Sequence, residues 1–249
     1  MSTGRRLALG ALALGGAYWG PGLAAVPSVG RRLGRWVLTA VSTEEPAVAL
    51  TFDDGPDPRF AERFLEALGQ ARCTFFWLGS SVRRWPDLAR AARAAGHEIA
   101  CHGDTHHSMG RAGPVGTARS LRAARDAIGS ATGRAPAFYR PPYGWFTAPA
   151  WTVCERLGLR RTLWTASAGD WRSDRSSAQI AQATLAAVRP GAILLLHDGR
   201  GQNGAPLRTL AAVPAILQGL STRGLRPVTL SELVRLGMER PAAQPGMSG

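Results

Sequence analysis

The sequence predicts an α/β fold in which a parallel β-sheet, covered by helices, curls into a barrel of about seven strands. Between residues 46 and 237, short apolar segments alternate with longer amphipathic ones, as in successive βα units. About seven such units are typical of a barrel rather than of an open sheet. With 249 residues, of which 45% are hydrophobic, the chain can bury the core of one ordinary domain and still carry a short targeting segment.

Each strand of this barrel is predicted from an apolar run that turn residues interrupt. The first run, PAVALTF, ends at two aspartates, and the run GAILLLH is apolar up to its histidine. The predicted strands, in chain order, are 46–52, 73–79, 97–102, a short strand before Arg140, 159–167, 191–197 and 226–228. The predicted helices are 59–69, 80–95 with a break near Pro86, 115–131, 148–157, 176–188, 207–222 and a last one from Ser231.

The N-terminal segment differs from the rest of the chain, because residues 7–30 carry no charge and follow Arg5 and Arg6. This pattern resembles a secretory signal peptide, and the apolar stretch is also long enough to span a bilayer as an uncleaved anchor. The alternative is a buried helix of the folded domain. We expect a signal peptide or membrane anchor with a linker at 1–45, the folded domain at 46–237 and a loose tail at 238–249. The protein is therefore expected to be secreted or held at the cell envelope.

The composition excludes several classes of protein. All 30 basic residues are arginine, and the absence of lysine excludes a P-loop phosphate site and Schiff-base chemistry. The three cysteines form no CxxC pair, which argues against a disulfide framework and a thiolate zinc finger. The net charge of +13 is spread over the whole length without a nucleic-acid-binding motif, so we expect no nucleic acid partner. A spread cationic surface favours anionic cell-wall polymers or lipid head groups instead.

Polar side chains that can do chemistry follow the predicted strands, where the carboxyl ends of a parallel barrel form the active-site rim. These residues are, in chain order, Asp53, Asp54, His102, His106, Arg140, Tyr143, Asp170 and His197. Packing alone does not bring titratable groups to the ends of several independent strands. The pattern therefore indicates one active site.

The motif TFDDGP at 51–56 places two carboxylates side by side. Adjacent carboxylates repel each other, so a fold keeps them together only with a cation or with different roles for the two. Neighbouring side chains point apart, and one aspartate could bind a metal while the other faces the reacting atoms. A solvated Asp-Gly turn is the alternative interpretation.

The motif HGDTHH at 102–107 brings His102 and His106 four residues apart, on one face of a helix or on both sides of a tight turn. With one carboxylate, these histidines would make a three-ligand metal site that leaves positions open for water or substrate. The alternative is a histidine pair that is structural or simply exposed.

Two further segments supply a fixed cation and a proton donor. In FYRPPYG at 138–144, the Pro-Pro segment makes the backbone at Arg140 rigid, so that its guanidinium can clamp a carboxylate and keep it ionised. An ordinary surface salt bridge is the alternative. In LLLHDG at 194–199, His197 leaves a buried strand as a single imidazole that can donate a proton.

Together these motifs resemble the polysaccharide deacetylases of the NodB-homology type, carbohydrate esterase family 4. TFDDGP, the HxxxH pair, RPPYG, the Asp-Trp pair at 170–171 and LLLH occur in the family's order, and the resemblance covers roughly residues 46–235. It implies a distorted (β/α) barrel of about seven strands. It also implies hydrolysis of N-acetyl groups on amino-sugar polymers by a water that one divalent metal, usually zinc, activates.

The resemblance further implies three groups of site residues. The metal ligands are Asp54, His102 and His106. The residues that act in catalysis are the base Asp53 with its partner Arg140, the general acid His197 with its partner Asp170, and Tyr143, whose main-chain amide polarises the acetyl carbonyl. The residues that line the acetyl pocket are Pro141, Trp171 and Leu195.

Two positions depart from the family pattern. Ser167 stands where relatives often carry an aspartate, three residues before Asp170, so we expect weaker support of Arg140 without loss of the chemistry. Cys101 precedes His102 where an asparagine is frequent, and a buried strand thiol explains it better than a fourth metal ligand.

The sequence is thus interpreted as an exported, monomeric, metal-dependent N-deacetylase of peptidoglycan or of a chitin-like polymer of N-acetylglucosamine. Three alternatives stay open: a deacetylase or deformylase of a lipid-linked sugar, an O-deacetylase of a substituted glycan, and a carbohydrate-binding pseudoenzyme. The last fits the residues less well, because a binding module needs neither an acid nor a base.

Overall fold

A parallel β-sheet carries the site residues, and its strands lie in the predicted places except within 159–167, most of them shorter than predicted. The computed structural model describes residues 37–201 and 203–238. Within these residues the strands are β1 (Ala47–Asp53), β2 (Thr74–Trp77), β3 (Glu98–Cys101), β4 (Phe138–Tyr139), β5 (Arg160–Arg161), β6 (Ala166–Ser167), β7 (Ile193–His197) and β8 (Arg226–Pro227). Seven of them form the order β5-β4-β3-β2-β1-β7-β6, and β8 pairs with β1. The sheet curls into a half-barrel with helices around it, which confirms the predicted distorted barrel.

Strand β1 lies inside the sheet, and all seven of its residues, AVALTFD, are buried. Such a continuous apolar run is expected for a parallel strand that is covered on both faces. β1 pairs in parallel with β2 on one side and with β7 on the other, and the register sets Asp53 opposite Phe76 and His197. The pairing with β7 therefore brings the first aspartate and the last histidine of the predicted site to the same end of the sheet.

Helices connect successive strands and cover the sheet. They are α1 (Ala61–Leu68), α2 (Gly79–Arg84), α3 (Pro86–Ala94), α4 (Met109–Thr132), α5 (Ala148–Leu157), α6 (Ser177–Ala186), α7 (Ala205–Thr222) and α8 (Leu230–Met238). The break predicted near Pro86 is present, because Pro86 starts α3 directly after α2. Helix α4 begins before the predicted position 115. A kink at Gly113, where φ is 63°, separates its first turn from the rest of the helix.

The prediction of one strand at 159–167 is wrong, because β5 and β6 lie at opposite ends of the strand order. The segment 38–41 lies between them. The N–H of Leu38 donates to the carbonyl of Arg161, the N–H of Leu163 donates to the carbonyl of Leu38, and both distances are 2.8 Å. The N–H of Val41 donates to the carbonyl of Gly191 at 2.9 Å, just before β7.

The segment 38–41 therefore bridges the chain at β5 to the residues just before β7. The side chains of Val37 and Leu38 are buried, so the packed part of the chain includes residues before the predicted start at 46. The leader predicted at residues 7–30 and the tail from 239 lie outside the described residues. None of the helices in the described part of the chain combines the length and the apolar character needed to cross a membrane.

Candidate active site

The carboxyl ends of the strands enclose a cavity of about 640 Å³. Its walls are formed by Asp53, Asp54, His102, His106, Pro141, Tyr143, Gly144, Trp164, Trp171, Leu195, His197, Arg200 and Gly201. All three predicted metal ligands and all three predicted pocket residues are among them. Arg140 and Asp170 lie behind this wall, where both are 0% exposed. The structure thus brings the predicted residues together from segments that are far apart in the chain.

The turn after β1 separates the two neighbouring carboxylates. Asp54 has a φ of 85°, which an L-residue adopts only where its surroundings hold it. Those surroundings include Asp198, whose Oδ1 accepts the N–H of Gly55 at 3.2 Å and whose Oδ2 accepts the indole N–H of Trp77 at 2.7 Å. A Cβ on Gly55 would lie 2.4 Å from that carboxylate, so this turn requires glycine. The turn directs Asp53 toward Arg140 and Asp54 toward the histidines.

Asp54, His102 and His106 form a cluster that can hold a metal ion. The Nε2 atoms of both histidines lie 3.2 Å from Oδ1 of Asp54, and the three potential ligand atoms are within 4.8 Å of one another. Oδ1 of Asp54 is buried and has no hydrogen-bond partner among the described residues. A buried carboxylate oxygen without a donor is costly unless a cation satisfies it. The donor set of two imidazoles and one carboxylate fits a divalent metal such as zinc.

A backbone carbonyl orients the first histidine of this cluster. Nδ1 of His102 lies 2.9 Å from the carbonyl oxygen of Arg140. Because a carbonyl only accepts, Nδ1 carries the proton and the lone pair of Nε2 faces Asp54, as metal ligation requires. The ring of His106 packs edge-on against Tyr143, with the ring centroids 4.6 Å apart.

The protonation states suit metal binding. Burial alone would raise the pKa of Asp54, but His102, with smaller contributions from His197 and His106, lowers it well below its usual range. Burial lowers the pKa of His106 to about 4. At neutral pH Asp54 is therefore ionised and His106 is neutral, and metal ligands must have these charge states.

Arg140 fixes Asp53 from within the barrel. Its Nη1 donates to Oδ1 of Asp53 at 2.6 Å and to Oγ1 of Thr51 at 2.9 Å, and its Nη2 donates to the carbonyl of Leu163 at 3.0 Å. The guanidinium stacks 4.0 Å from the ring centroid of Phe76. Burial lowers the pKa of Arg140 while Asp53 raises it, and the pair holds a buried carboxylate in one orientation.

His197 is held by Asp170 on the opposite wall. Its Nδ1 lies 2.9 Å from Oδ1 of Asp170, and its backbone N–H donates to Oδ2 at 2.7 Å. The hydroxyl of Thr209 donates to the same Oδ2 at 2.8 Å. Burial alone would lower the pKa of His197, but Asp170, with smaller contributions from Asp53 and Asp54, raises it to about 9. The imidazole is therefore protonated at neutral pH, and its Nε2–H is left to donate to a substrate.

The remaining predicted residues form an apolar side of the cavity. Leu195 and Pro141 are buried in the wall, whereas Trp171 is 40% exposed at the mouth. The Trp171 ring meets His197 edge-on, with centroids 5.4 Å apart. Tyr143 is 61% exposed and has a φ of 62°. Its backbone N–H donates to none of the described residues.

The structure shows what surrounds Ser167 and Cys101, the two residues that depart from the family pattern. The hydroxyl of Ser167 accepts the N–H of Gly169 at 3.3 Å. The hydrogen bonds of Arg140 go to Thr51, Asp53 and Leu163, and its Nε is buried without a partner among the described residues. Cys101 is buried, and burial raises the pKa of its thiol to about 12. It is not part of the Asp54–His102–His106 cluster.

Sequence reasoning missed residues that support or line the site. Asp198 and Thr209 hold site residues from behind. Asp198 lies within the LLLHDG segment but was given no role there, and Thr209 is marked by no motif. Trp164 and Arg200 line the cavity. Arg200 follows the LLLHDG segment closely enough that its position after a strand end could have indicated it.

Comparisons with known proteins identify relatives of this chain. The profile of the family described as polysaccharide deacetylase matches residues 40–162. A chitooligosaccharide deacetylase from Sinorhizobium fredii is 36% identical over 192 residues, which are 73% of this chain and 89% of that protein. A peptidoglycan-N-acetylglucosamine deacetylase from Bacillus cereus is 34% identical over 192 residues, which are 73% of this chain and 68% of that protein.

Solved structures extend the likeness to three dimensions. A family 4 carbohydrate esterase from Streptomyces lividans, in complex with acetate, matches with a TM-score of 0.67 at 34% identity, and the match covers 76% of this chain and 93% of that one. The likeness thus extends over the fold of about three quarters of this chain. This chain belongs to the polysaccharide deacetylases of the NodB-homology type, carbohydrate esterase family 4, and is a hydrolase of that family.

Proposed function

We propose that this enzyme removes N-acetyl groups from polymers of N-acetylglucosamine, peptidoglycan or chitin-like, and that the reaction depends on one divalent metal ion, zinc. The observation that carries the proposal is the convergence of a three-ligand cluster, a clamped carboxylate and a protonated imidazole in one cavity. Hydrolysis of an amide needs these three functions: activation of water, removal of its proton, and protonation of the leaving nitrogen.

Asp54, His102 and His106 are the proposed metal ligands. When bound there, a divalent metal supplies Lewis acidity, which polarises the acetyl carbonyl and makes a water more acidic. The chain supports this role by fixing the ligands: the carbonyl of Arg140 orients His102, and the turn at Gly55 directs Asp54 into the cluster.

Asp53 is the proposed general base. Arg140 holds its Oδ1 at 2.6 Å, so Oδ2 stays available to take a proton from the attacking water. The water oxygen forms a bond to the acetyl carbon, and the carbonyl oxygen becomes negative. The backbone N–H of Tyr143 is the proposed donor to that oxygen.

His197 is the proposed general acid. Because its pKa is raised to about 9, it is protonated at neutral pH and can give its Nε2 proton to the amide nitrogen as the carbon–nitrogen bond breaks. The products are acetate and a free amine on the sugar. Leu195, Trp171 and Pro141 are the proposed walls for the acetyl methyl group.

We also propose that the protein is exported and works at the cell envelope as a monomer. The uncharged run after Arg5 and Arg6 supports export. The net charge of +13 supports attraction to anionic wall polymers or lipid head groups, where the substrate of a wall deacetylase lies.

The proposal is tested by comparing wild type with Asp54→Ala and Asp53→Asn. We expect about one zinc per chain in wild type and in Asp53→Asn, and little in Asp54→Ala, because only Asp54 is a ligand. Acetate release from chitooligosaccharide, peptidoglycan and acetylated xylan should fall about 100-fold or more in both variants. Metal content is measured by mass spectrometry and acetate by an enzyme-coupled assay.

Stoichiometric zinc in Asp54→Ala would overturn the ligand assignment. Near-wild-type turnover in Asp53→Asn would show that the base lies elsewhere. A preference for acetylated xylan over both amino-sugar polymers would contradict the proposed amide specificity.

A further inference from the structure

We infer that Asp198 is a positioning residue of the proposed metal site: it fixes the backbone on both sides of Asp54 and thereby sets the affinity for the metal. The inference rests on the proposed metal dependence and deepens it. Asp198 is not among the described residues that form the cavity wall, so it acts through Asp54 rather than on the substrate.

Asp198 holds the two peptide units that flank Asp54. Its backbone N–H donates to the carbonyl of Asp53 at 3.1 Å, and its Oδ1 accepts the N–H of Gly55 at 3.2 Å. One residue therefore constrains the backbone of Asp54 from both directions. The φ of Asp54 is 85°, a conformation that an L-residue keeps only where its surroundings impose it.

Strand β2, on the other side of β1, completes this arrangement. The N–H of Asp54 donates to the carbonyl of Phe76 at 3.2 Å. The indole N–H of Trp77, a fully buried side chain, donates to Oδ2 of Asp198 at 2.7 Å. This hydrogen bond joins the end of β2 to the residue that follows β7. The turn that carries Asp54 is therefore held from both strands that neighbour β1.

The packing around the Asp198 carboxyl group is tight. A Cβ on Gly55 would lie 2.4 Å from Oδ2 of Asp198, and a Cβ on Gly199 would lie 2.5 Å from the carbonyl carbon of Asp54. Asp198 is itself 0% exposed. Because the two glycines leave no gap between this residue and the turn, a shift of the Asp198 side chain would displace the backbone of the metal ligand.

The hydrogen bonds require a group with two acceptor oxygens. The carboxyl group of Asp198 offers one oxygen to Gly55 and the other to Trp77. An asparagine amide has one acceptor and one donor, so it can accept only one of these two N–H groups and turns its own N–H toward the other. A buried donor without an acceptor is unfavourable. Asp198→Asn should therefore move the turn with little change in side-chain volume.

The test measures the zinc affinity of the full chain in wild type, Asp198→Asn and Trp77→Phe. Metal is first removed, and the zinc Kd is obtained by competition with a chromophoric chelator, a readout that does not depend on turnover. Asp198→Asn should raise the Kd about 10- to 100-fold, as is typical when a group that orients a metal ligand is altered. Trp77→Phe should raise it by a smaller factor, because Asp198 then keeps its contact with Gly55.

Glu98→Gln is the matched control. The Glu98 carboxylate also accepts a backbone N–H and a side-chain donor, from Ser231 and Thr74, both at 3.0 Å. It lies at the start of β3, at the opposite end of that strand from His102. Urea denaturation of the metal-free proteins measures what each substitution costs in stability. We expect Glu98→Gln to lower this stability without raising the zinc Kd.

Activity at saturating zinc separates positioning from catalysis. Asp198→Asn should recover much of its acetate release once zinc exceeds the new Kd, because Asp53 and His197 are unaltered. A loss of kcat that persists at saturating zinc, together with an unchanged zinc Kd, would contradict the positioning role.

An unchanged zinc Kd in folded Asp198→Asn, or an equal rise in Glu98→Gln, would overturn the inference and leave the proposed function standing. If Asp198→Asn does not fold, Trp77→Phe decides: its Kd should exceed that of wild type, and an equal Kd would overturn the inference. Absence of zinc binding by wild type would instead overturn the proposed metal dependence, and this inference with it.

Discussion

Asp53 and Asp54 are neighbours in the chain, yet each has its own set of partners. The positive φ of Asp54 turns the backbone between them, and Asp198 with Gly55 holds that turn. As a result Asp53 meets a guanidinium and Asp54 meets two imidazoles. This division relieves the repulsion between adjacent carboxylates and assigns them different chemistry.

The pairing of His197 with Asp170 predicts the alkaline limit of activity. Because the pKa of His197 is raised to about 9, its acid form should persist at neutral pH and be lost as the pH rises through about 9. The kcat/KM should then fall about tenfold per pH unit on the alkaline side. In Asp170→Asn, which removes the charge that raises this pKa, the fall should begin at a lower pH.

Rates of acetate release from pH 6 to 10 measure this limit. Asp174→Asn is the control, because Asp174 is an exposed carboxylate on the same loop that pairs with Arg172. If Asp170→Asn retained activity with the wild-type alkaline limit, a group other than His197 would be the acid.

At the scale of the elements, the segment 38–41 joins the sheet although the predicted series of alternating strands and helices begins only after it. It accepts and donates backbone hydrogen bonds beside β5 and before β7, in the region where a continuous strand was predicted. Gly191 makes this contact possible, because a Cβ there would lie 1.8 Å from the carbonyl oxygen of Val41.

Two glycine substitutions measure what this segment contributes. Gly191 and Gly158 both have positive φ, 77° and 66°, but of the two only Gly191 has other atoms within 4 Å of the place that an added Cβ would occupy. Both substitutions to alanine should cost about 1–2 kcal/mol of unfolding free energy through the backbone conformation. Gly191→Ala should cost about 2 kcal/mol more, because the added methyl overlaps Val41. Urea denaturation of the two variants gives the difference, and equal losses would contradict the contact.

At the scale of the whole molecule, the excess of arginine and the uncharged run at 7–30 are the basis for the proposal that the enzyme works at the cell envelope. The net charge is +13, yet among the described residues the buried ion pairs of the site use only one arginine, Arg140. The remaining positive charge is therefore mostly a property of the surface, where we expect it to act on association with anionic polymers rather than on the fold.

Export is tested by fusing residues 1–36 to a reporter that is active only outside the cytoplasm. We expect reporter activity, released if the leader is cleaved and membrane-bound if it is an anchor. Leu12→Asp with Leu14→Asp interrupts the apolar run and should abolish that activity. A reporter that stays inactive with the unaltered leader would contradict export.

The fold class and the residues of the candidate site could be predicted from local sequence patterns. Strand alternation and the position of polar residues after apolar runs are local patterns, and local patterns can be interpreted without knowing which segments pair. The βα order, the helix break at Pro86 and the set from Asp53 to His197 all belong to this category.

Only the tertiary structure decided how these residues are held. Arg140 reaches Asp53 across 87 positions of sequence, Trp77 reaches Asp198 across 121, and Thr209 reaches Asp170 across 39. The contacts of segment 38–41 beside β5 and before β7, and the position of Arg200 in the cavity wall, likewise depend on which distant segments meet. Such contacts follow from packing of the curled sheet, where hydrogen bonds between remote residues are satisfied together, and no local pattern encodes that pairing.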